Sequence, residues 1–200
     1  MLTMAPSRLI EIITVILSLL YVILIIRQNI WCWICGILSS SLYIWSMIQA
    51  KIYLEAGLNF YYVVIGIYGW YLWTRKDESN QEKSKNELPV SKWNSTKHVI
   101  NIGICIALSL VLGKLSQHIT DSPRPYFDAF ITVFSFGATF MEARKILSTW
   151  VYWFIINGLS IILMLDRDLP WYALLSGITT LLCIKGYLDW TKSYKDSQLT

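Results

Sequence analysis

Residues 69–75 read Gly-Trp-Tyr-Leu-Trp-Thr-Arg and residues 186–192 read Gly-Tyr-Leu-Asp-Trp-Thr-Lys, so one pattern, Gly-x-x-x-Trp-Thr followed by a basic residue, occurs twice. The two copies are displaced by 117 residues, from 69 to 186. Without a gap, the same displacement superimposes three further pairs: Glu11 on Asp128, Arg27 on Arg144 and Trp33 on Trp150. One such match would mean little, but several rare residues in a single register predict an ancient internal duplication.

The apolar stretches around these copies are long enough to cross a bilayer. The 200-residue chain is 55% hydrophobic and 15% charged, with a mean hydropathy of +0.48, whereas a soluble domain carries about 25% charged residues. A spanning helix needs about 20 mainly apolar residues, and it satisfies its backbone polar groups internally. We predict seven spans: Leu9–Ile26, Ile30–Gln49, Tyr53–Trp73, His98–Gln117, Tyr126–Ala143, Trp150–Leu165 and Leu169–Trp190.

The spans and the duplication together predict an all-α polytopic membrane protein. A repeat with an odd number of spans would insert upside down if it were duplicated directly, and a single linking span restores its orientation. The two repeats are then parallel, related by an axis along the membrane normal. The predicted segments are a first three-helix repeat (1–73), a polar cytoplasmic linker (74–97), a linking helix (98–118), a second three-helix repeat (119–192) and a tail (193–200).

Parallel repeats of this kind place a substrate site near the bilayer midplane, where a rocking motion exposes it to each side in turn. Transport of a small molecule is therefore the favoured function class. A duplicated membrane scaffold without a transport pathway is the alternative.

Basic residues collect on one side of the predicted spans. That side holds Arg27, Arg144 and six Lys or Arg residues between Arg75 and Lys97. By the positive-inside rule it is cytoplasmic, so the N-terminus is predicted outside and the C-terminus inside. The net charge of +4 is spread over membrane-flanking loops, which does not favour a nucleic-acid partner. The polar linker is interpreted as a solvated tether rather than a recognition element.

The sequence lacks patterns typical of catalysis or metal binding. His98 and His118 flank the fourth span at opposite ends, and neither His-Glu-x-x-His nor Gly-x-Ser-x-Gly occurs. Cys32 and Cys35 have a Cys-x-x-Cys spacing, but no second pair or neighbouring histidine accompanies them. This favours cysteine as a small residue compatible with lipid. We expect no enzyme activity, no cofactor and no metal.

The sixth span carries the residues best suited to hold a ligand. Trp150, Trp153 and Asn157 are spaced three and four apart and share one helix face. Two indoles and an amide suit a flat aromatic ligand with hydrogen-bonding groups, and tryptophan is the best cation–π partner for a positively charged ring. An interfacial anchor is the alternative for Trp150.

Asp128, near the start of the fifth span, is a further candidate to bind the ligand. A structural role at the positive end of its helix dipole explains this carboxylate equally well. Further polar candidates, for which helix packing is the alternative, are Asn59, Tyr62 and Thr132.

Several motifs in combination resemble a known family. The first half contains Tyr53-x5-Asn59-x-x-Tyr62 and Tyr68-Gly69-Trp70-x-x-Trp73. The second half contains Asp128-Ala129-Phe130-x-Thr132, Ala143-Arg144-Lys145, Trp150-x-x-Trp153-x-x-x-Asn157 and Gly186-Tyr187-x-x-Trp190. Outside the tails and the linker, the chain resembles the PnuC family of nicotinamide riboside transporters.

The resemblance implies a three-plus-one-plus-three fold like that of SWEET sugar transporters, as a homotrimer in the bacterial inner membrane. It implies uptake of nicotinamide riboside by facilitated diffusion, with trapping by a cytoplasmic kinase. It also implies that Trp150, Trp153 and Asn157, together with Asn59, hold the substrate. The chain departs from the family pattern at Asn59, Ser148 and Leu165. Thiamine, riboflavin or a small sugar therefore stay open as alternative substrates.

Overall fold

The computed structural model describes residues 6–49, 53–75, 88–120, 122–166 and 170–199. Over these residues the chain forms seven α-helices: α1 (Pro6–Ile26), α2 (Trp31–Gln49), α3 (Tyr53–Thr74), α4 (Ser95–Ile119), α5 (Pro125–Ala143), α6 (Thr149–Asp166) and α7 (Pro170–Gln198). Each helix coincides with one predicted span, and the predicted all-α polytopic class is confirmed.

Two helices extend beyond their predicted bounds. The helix α4 begins at Ser95 instead of residue 98, because the Asn94 side chain accepts a hydrogen bond from the backbone N–H of Lys97 at 3.1 Å. Such an N-cap stabilises a helix by about 1 kcal/mol. The helix α7 continues to Gln198, although a tail was predicted from residue 193. Neither glycine nor proline follows Trp190, so nothing in the sequence ends the helix at the membrane surface.

The helices belong to two units, residues 1–89 and residues 90–200. In the first unit, α2 packs against both α1 and α3. In the second unit, α4 packs against α5, α5 against α6, and α6 against α7. The middle helix of each predicted repeat, α2 or α6, thus contacts both of its neighbours.

In α4 the buried residues are small and the exposed ones are large and apolar, the reverse of the pattern in a soluble protein. Its buried residues are small and lie three or four positions apart: Cys105, Ser109, Gly113 and Ser116. Large apolar side chains cover the rest of its surface, for example Ile119, which is 70% exposed. Gly113 permits a close approach to α5, because a Cβ there would lie 2.5 Å from Cδ1 of Tyr126. Small residues at contacts and large apolar residues outside are typical of membrane helices. Among the described residues, α4 and α6 are the helices long and apolar enough to span a membrane by themselves.

The corner between α1 and α2 is repeated between α5 and α6. Gln28 and Lys145, at equivalent positions in the 117-residue displacement, have positive φ values of 54° and 51°. Their N–H groups donate to the carbonyls of Ile25 and Glu142 at 2.9 and 3.0 Å. The following N–H groups bridge six residues at 2.9 Å in both corners, from Asn29 to Leu24 and from Ile146 to Met141. Both helices thus end in the same Schellman-type motif, which supports the predicted duplication.

The chain just before α4 is docked on the second of these corners. The Ser91 N–H donates to the carbonyl of Lys145 at 3.0 Å, and the Ser91 carbonyl accepts from the N–H of Leu147 at 2.9 Å. Val90, beside it, is 3% exposed. The last part of the predicted linker 74–97 is therefore fixed to the second unit, while residues 76–87 lie outside the described residues.

Candidate functional site

Trp150 lies in a packed cluster at the start of α6. Its ring meets that of Trp190 edge to face, with centroids 5.3 Å apart and an interplanar angle of 90°. Gly186 provides the necessary space, because a Cβ there would lie 2.5 Å from Cε3 of Trp150. Trp150 is 3% exposed, and its Nε1 has no hydrogen-bond partner. Protein contacts occupy this ring, and the role of Trp150 in binding a ligand stays a prediction.

The first unit contains the same cluster. The rings of Trp33 and Trp73 meet edge to face with centroids 5.5 Å apart and an interplanar angle of 87°. A Cβ on Gly69 would lie 2.4 Å from Cζ2 of Trp33. Trp33 is 1% exposed, and its Nε1 also has no hydrogen-bond partner. The Gly-x-x-x-Trp pattern is therefore a packing motif that joins the third helix of each predicted repeat to the second.

Trp153 lies one turn further along α6 and is bonded to a buried carboxylate. Its Nε1 donates to Oε2 of Glu142 at 3.3 Å. Glu142, in the last turn of α5, is 2% exposed. Trp153 is half-buried and packs against an apolar cluster that includes Ala138 and Ile156. The hydrogen bond fixes the orientation of the indole. A carboxylate within membrane helices is costly and marks a functional candidate.

Asn157 follows Trp153 on the same side of α6. Its Nδ2 lies 3.6 Å from Sγ of Cys183 on α7. A thiol is a weak acceptor, so this contact uses little of the hydrogen-bonding capacity of the amide. Asn157 is half-buried and Cys183 is 5% exposed. The structure thus brings together a held indole and a polar amide, two of the residues predicted from the sequence.

Asp128 and Thr132 lie on α5 in line with Glu142. Residues 128, 132, 135, 139 and 142 are three or four positions apart and form a polar stripe along one face. The hydroxyls of Ser135 and Thr139 donate to carbonyls of their own helix at 2.7 and 2.8 Å. Asp128 accepts a hydrogen bond from Ser122 Oγ and lies in the first turn of α5, where the helix dipole favours a carboxylate. Thr132 is half-buried.

His98 joins α4 to the start of α6. Its Nδ1 lies 3.1 Å from the hydroxyl of Tyr152, and its Nε2 lies 3.1 Å from Oγ of Ser148. These contacts hold the turn of α6 that carries Trp153. In the part of the chain that the structure describes, His, Cys, Asp and Glu side chains form no group of three that could hold a metal ion.

Asn59 and Tyr62 belong to α3 of the first unit, and both are half-buried. The Tyr62 ring contacts that of Tyr61, with centroids 6.0 Å apart. The assignment of Asn59 and Tyr62 as ligand residues stays a prediction, as do those of Asp128 and Thr132.

Glu142 is the candidate that sequence reasoning missed. It stands two residues before Arg144 and three before Lys145, in a Met-Glu-Ala-Arg-Lys stretch that is typical of a solvated helix end. Comparison of the two predicted repeats could have identified it. Glu142 coincides with Ile25, which is 1% exposed, and a carboxylate in place of a buried isoleucine requires an explanation.

Comparisons with known proteins agree with this architecture. The family model of the nicotinamide mononucleotide transporters matches residues 8–192. The chain is 24% identical to the nicotinamide riboside transporter PnuC of Escherichia coli (strain K12), over 94% of this chain and 87% of that protein. It is 23% identical to the riboflavin/roseoflavin transporter RibM of Streptomyces davaonensis, over 92% of this chain and 85% of that protein.

A crystal structure of the vitamin B3 transporter PnuC has a similar fold. It superimposes with a TM-score of 0.75 at 20% sequence identity, and the match covers 96% of this chain and 84% of the other. The family model confirms the transporter class predicted from the duplicated spans and the intramembrane polar residues. With the family model matching almost its full length, the chain belongs to the nicotinamide mononucleotide transporter family.

Proposed function

We propose that this transporter takes up nicotinamide riboside across the inner membrane of a bacterium. The observation that carries the proposal is the half-buried indole of Trp153, held by Glu142 and followed by Asn157 on the same helix. The name of the Escherichia coli relative supports this ligand.

The held indole suits the nicotinamide ring. That ring is flat and positively charged in the riboside, so the Trp153 face can contribute stacking together with about 0.5–2 kcal/mol of cation–π attraction. The Asn157 amide offers both donors and an acceptor, which match the carboxamide of the ligand. Trp150, Asp128, Thr132, Asn59 and Tyr62 complete the proposed set of ligand residues.

Uptake proceeds by facilitated diffusion in this proposal, and a cytoplasmic kinase traps the product by phosphorylation. The N-terminus lies outside and the C-terminus in the cytoplasm, which the distribution of basic residues supports. The assembled form is a homotrimer in the lipid bilayer, with no nucleic-acid partner.

Riboflavin is the second candidate substrate, and similarity to the transporter RibM favours it. Its isoalloxazine ring is also flat and would stack on Trp153. It is uncharged, however, so it would gain no charge attraction from an indole bonded to a carboxylate.

Uptake into proteoliposomes tests the proposal. Radiolabelled nicotinamide riboside should equilibrate with the internal volume without an ion gradient, and should accumulate further only when a nicotinamide riboside kinase and ATP are enclosed. Trp153→Ala should lower the initial rate about tenfold or more, because losing an aromatic stacking partner costs about 1–3 kcal/mol. The matched control is Trp45→Ala, which removes an exposed tryptophan (47%) from α2.

Four outcomes would contradict parts of the proposal. No uptake of nicotinamide riboside would reject the function, and faster uptake of riboflavin would favour the alternative substrate. A strict requirement for an ion gradient would reject facilitated diffusion. Equal rates for Trp153→Ala and Trp45→Ala would reject the site but leave the function standing.

A further inference from the structure

Glu142 is a buried carboxylate whose position has no counterpart in the first unit. It is 2% exposed, and Oε2 accepts from the Trp153 indole. The residue at the equivalent position is Ile25, which is 1% exposed. Since the α1–α2 and α5–α6 corners have the same backbone hydrogen bonds, packing at this position is satisfied by an isoleucine. The backbone of this corner therefore does not require a carboxylate at this position.

The hydrogen bond to Trp153 joins the carboxylate to the aromatic surface. A carboxylate at the indole N–H polarises the ring and makes its face more negative, which strengthens its attraction for a cation. The carboxylate also acts directly, because charges interact more strongly in a protein interior than in water. An aromatic cation stacked on this indole gains from both effects, whereas a neutral ring of the same shape gains from neither.

We propose that Glu142 is the specificity-determining residue that makes this site prefer a positively charged aromatic ring to a neutral one. The inference rests on the proposed function, since it concerns the ligand that stacks on Trp153. Glu142 acts through the indole and through its charge, so it is a positioning and selecting residue that need not touch the ligand.

A second buried charge lies close by and enters the test. Lys145 is also 2% exposed, and its backbone N–H donates to the Glu142 carbonyl at 3.0 Å. Its ammonium opposes the field that a cationic ligand would experience. Removing that charge should keep the preference for the cation or increase it. Gln28 occupies the equivalent position with the same positive φ, so Lys145→Gln is the substitution that this backbone accommodates.

Two ligands of nearly equal shape are compared: nicotinamide riboside, whose ring is cationic, and its dihydro form, whose ring is neutral and no longer aromatic. The difference in stacking is the same for every variant, so a change in the ratio of the two affinities reports the effect of charge. Binding of each to the purified protein is measured by calorimetry, for the wild type, Glu142→Gln and Lys145→Gln. Glutamine keeps the size of the side chain and a carbonyl oxygen for the Trp153 N–H, and it removes the negative charge. We expect Glu142→Gln to lower the ratio of cation to neutral affinity by about tenfold or more, with the neutral ligand affected less than about twofold.

The outcomes separate this inference from the proposed function. If Glu142→Gln weakens both ligands equally, Glu142 only braces the indole. If neither affinity changes, the charge of Glu142 has no role. Either result overturns the inference. A wild type that prefers the cation in binding but does not transport it in proteoliposomes would reject the proposed function and leave the role of Glu142 standing. Melting curves of each variant establish that it is folded.

Discussion

The first and second units have the same corners and the same tryptophan clusters, but different residues surround these shared features in each unit. The corner motif and the Gly-x-x-x-Trp packing repeat in detail, down to the two indole N–H groups without a partner. Four equivalent positions near these features differ between the units. The second unit has Glu142, Trp153, Asn157 and Cys183 where the first has Ile25, Gly36, Ser40 and Gly66. The features that packing requires are common to both units. At these four positions, the polar and aromatic groups suited to a ligand lie in the second unit.

One of these differences is an exchange of volume. In the first unit a Cβ on Gly36 would lie 3.0 Å from Cδ2 of Tyr21, so the tyrosine of α1 fills the space. In the second unit the position equivalent to Tyr21 is Ala138, which is 0% exposed, and Trp153 packs against its cluster. The large aromatic residue therefore lies on α1 in the first unit and on α6 in the second, and the total side-chain volume is roughly conserved. The exchange places an indole where Glu142 can hold it.

The largest expected effect is a loss of stability, and we expect it to be equal in the two units. Gly69→Ala and Gly186→Ala each place a Cβ within 2.5 Å of a tryptophan ring, and overpacking of this kind costs about 1–3 kcal/mol or more. We expect both variants to melt at clearly lower temperature in detergent, as measured by thermal size-exclusion chromatography. The controls are Gly57→Ala and Gly177→Ala, where nothing lies within 4 Å, and each should be neutral or slightly stabilising. A loss of stability in only one unit would break the equivalence.

A smaller effect is expected on the ligand side of the second unit. Asn157→Ser installs the residue of the first unit and should weaken nicotinamide riboside binding about tenfold, the equivalent of about 1.4 kcal/mol. Calorimetry measures this change. The control is Ser160→Ala, because the Ser160 hydroxyl bonds to the carbonyl of Ile156 in its own helix at 2.9 Å. Equal affinity for Asn157→Ser and wild type would remove Asn157 from the proposed site.

The two cluster tryptophans provide a test of scaffold against site. Trp33→Phe and Trp150→Phe each remove an N–H that has no partner and leave a smaller aromatic ring, so each should cost about 1 kcal/mol of stability. If Trp150 serves only the scaffold, both variants should retain wild-type affinity for the ligand. A marked loss of affinity in Trp150→Phe alone would support the sequence-based prediction that Trp150 contacts the substrate.

The smallest effect concerns the two positive-φ residues. Gln28→Gly should raise the free energy of unfolding by up to about 1 kcal/mol, because glycine adopts this backbone without the steric cost that other residues incur. Lys145→Gly should gain less, since Lys145 is 2% exposed and loses its buried side-chain contacts. Denaturant titration in detergent compares the pair. A larger gain for Lys145→Gly would contradict a packing role for that side chain.

The sequence was sufficient to predict the helices because a membrane span is a local property: each needs only a long apolar run. The duplication was predictable because glycine and tryptophan are required at the same contact in both units, as at Gly69 and Gly186. The extension of α7 to Gln198 and the start of α4 at Ser95 were missed, because a helix can continue beyond the bilayer and an Asn cap is a weak local signal.

Glu142 was missed for a different reason. Its burial depends on which face α5 turns towards α6, and this is a tertiary property. Beside Arg144 and Lys145, its charge was indistinguishable in sequence from those at a solvated helix end. The pairing of Trp153 with Glu142 likewise depends on the corner that packs α5 against α6. The spacing of residues along a single helix does not predict such a contact.

The most direct test gives the second unit three residues of the first. The triple variant Ala138→Tyr, Glu142→Ile, Trp153→Gly installs Tyr21, Ile25 and Gly36 at their equivalent positions and conserves volume in the exchange. Calorimetric titration with nicotinamide riboside is the measurement, on protein shown to be folded by its melting curve. We expect a folded protein without detectable binding. Binding at wild-type affinity would contradict the claim that the ligand stacks on Trp153, the indole that the first unit lacks at this position.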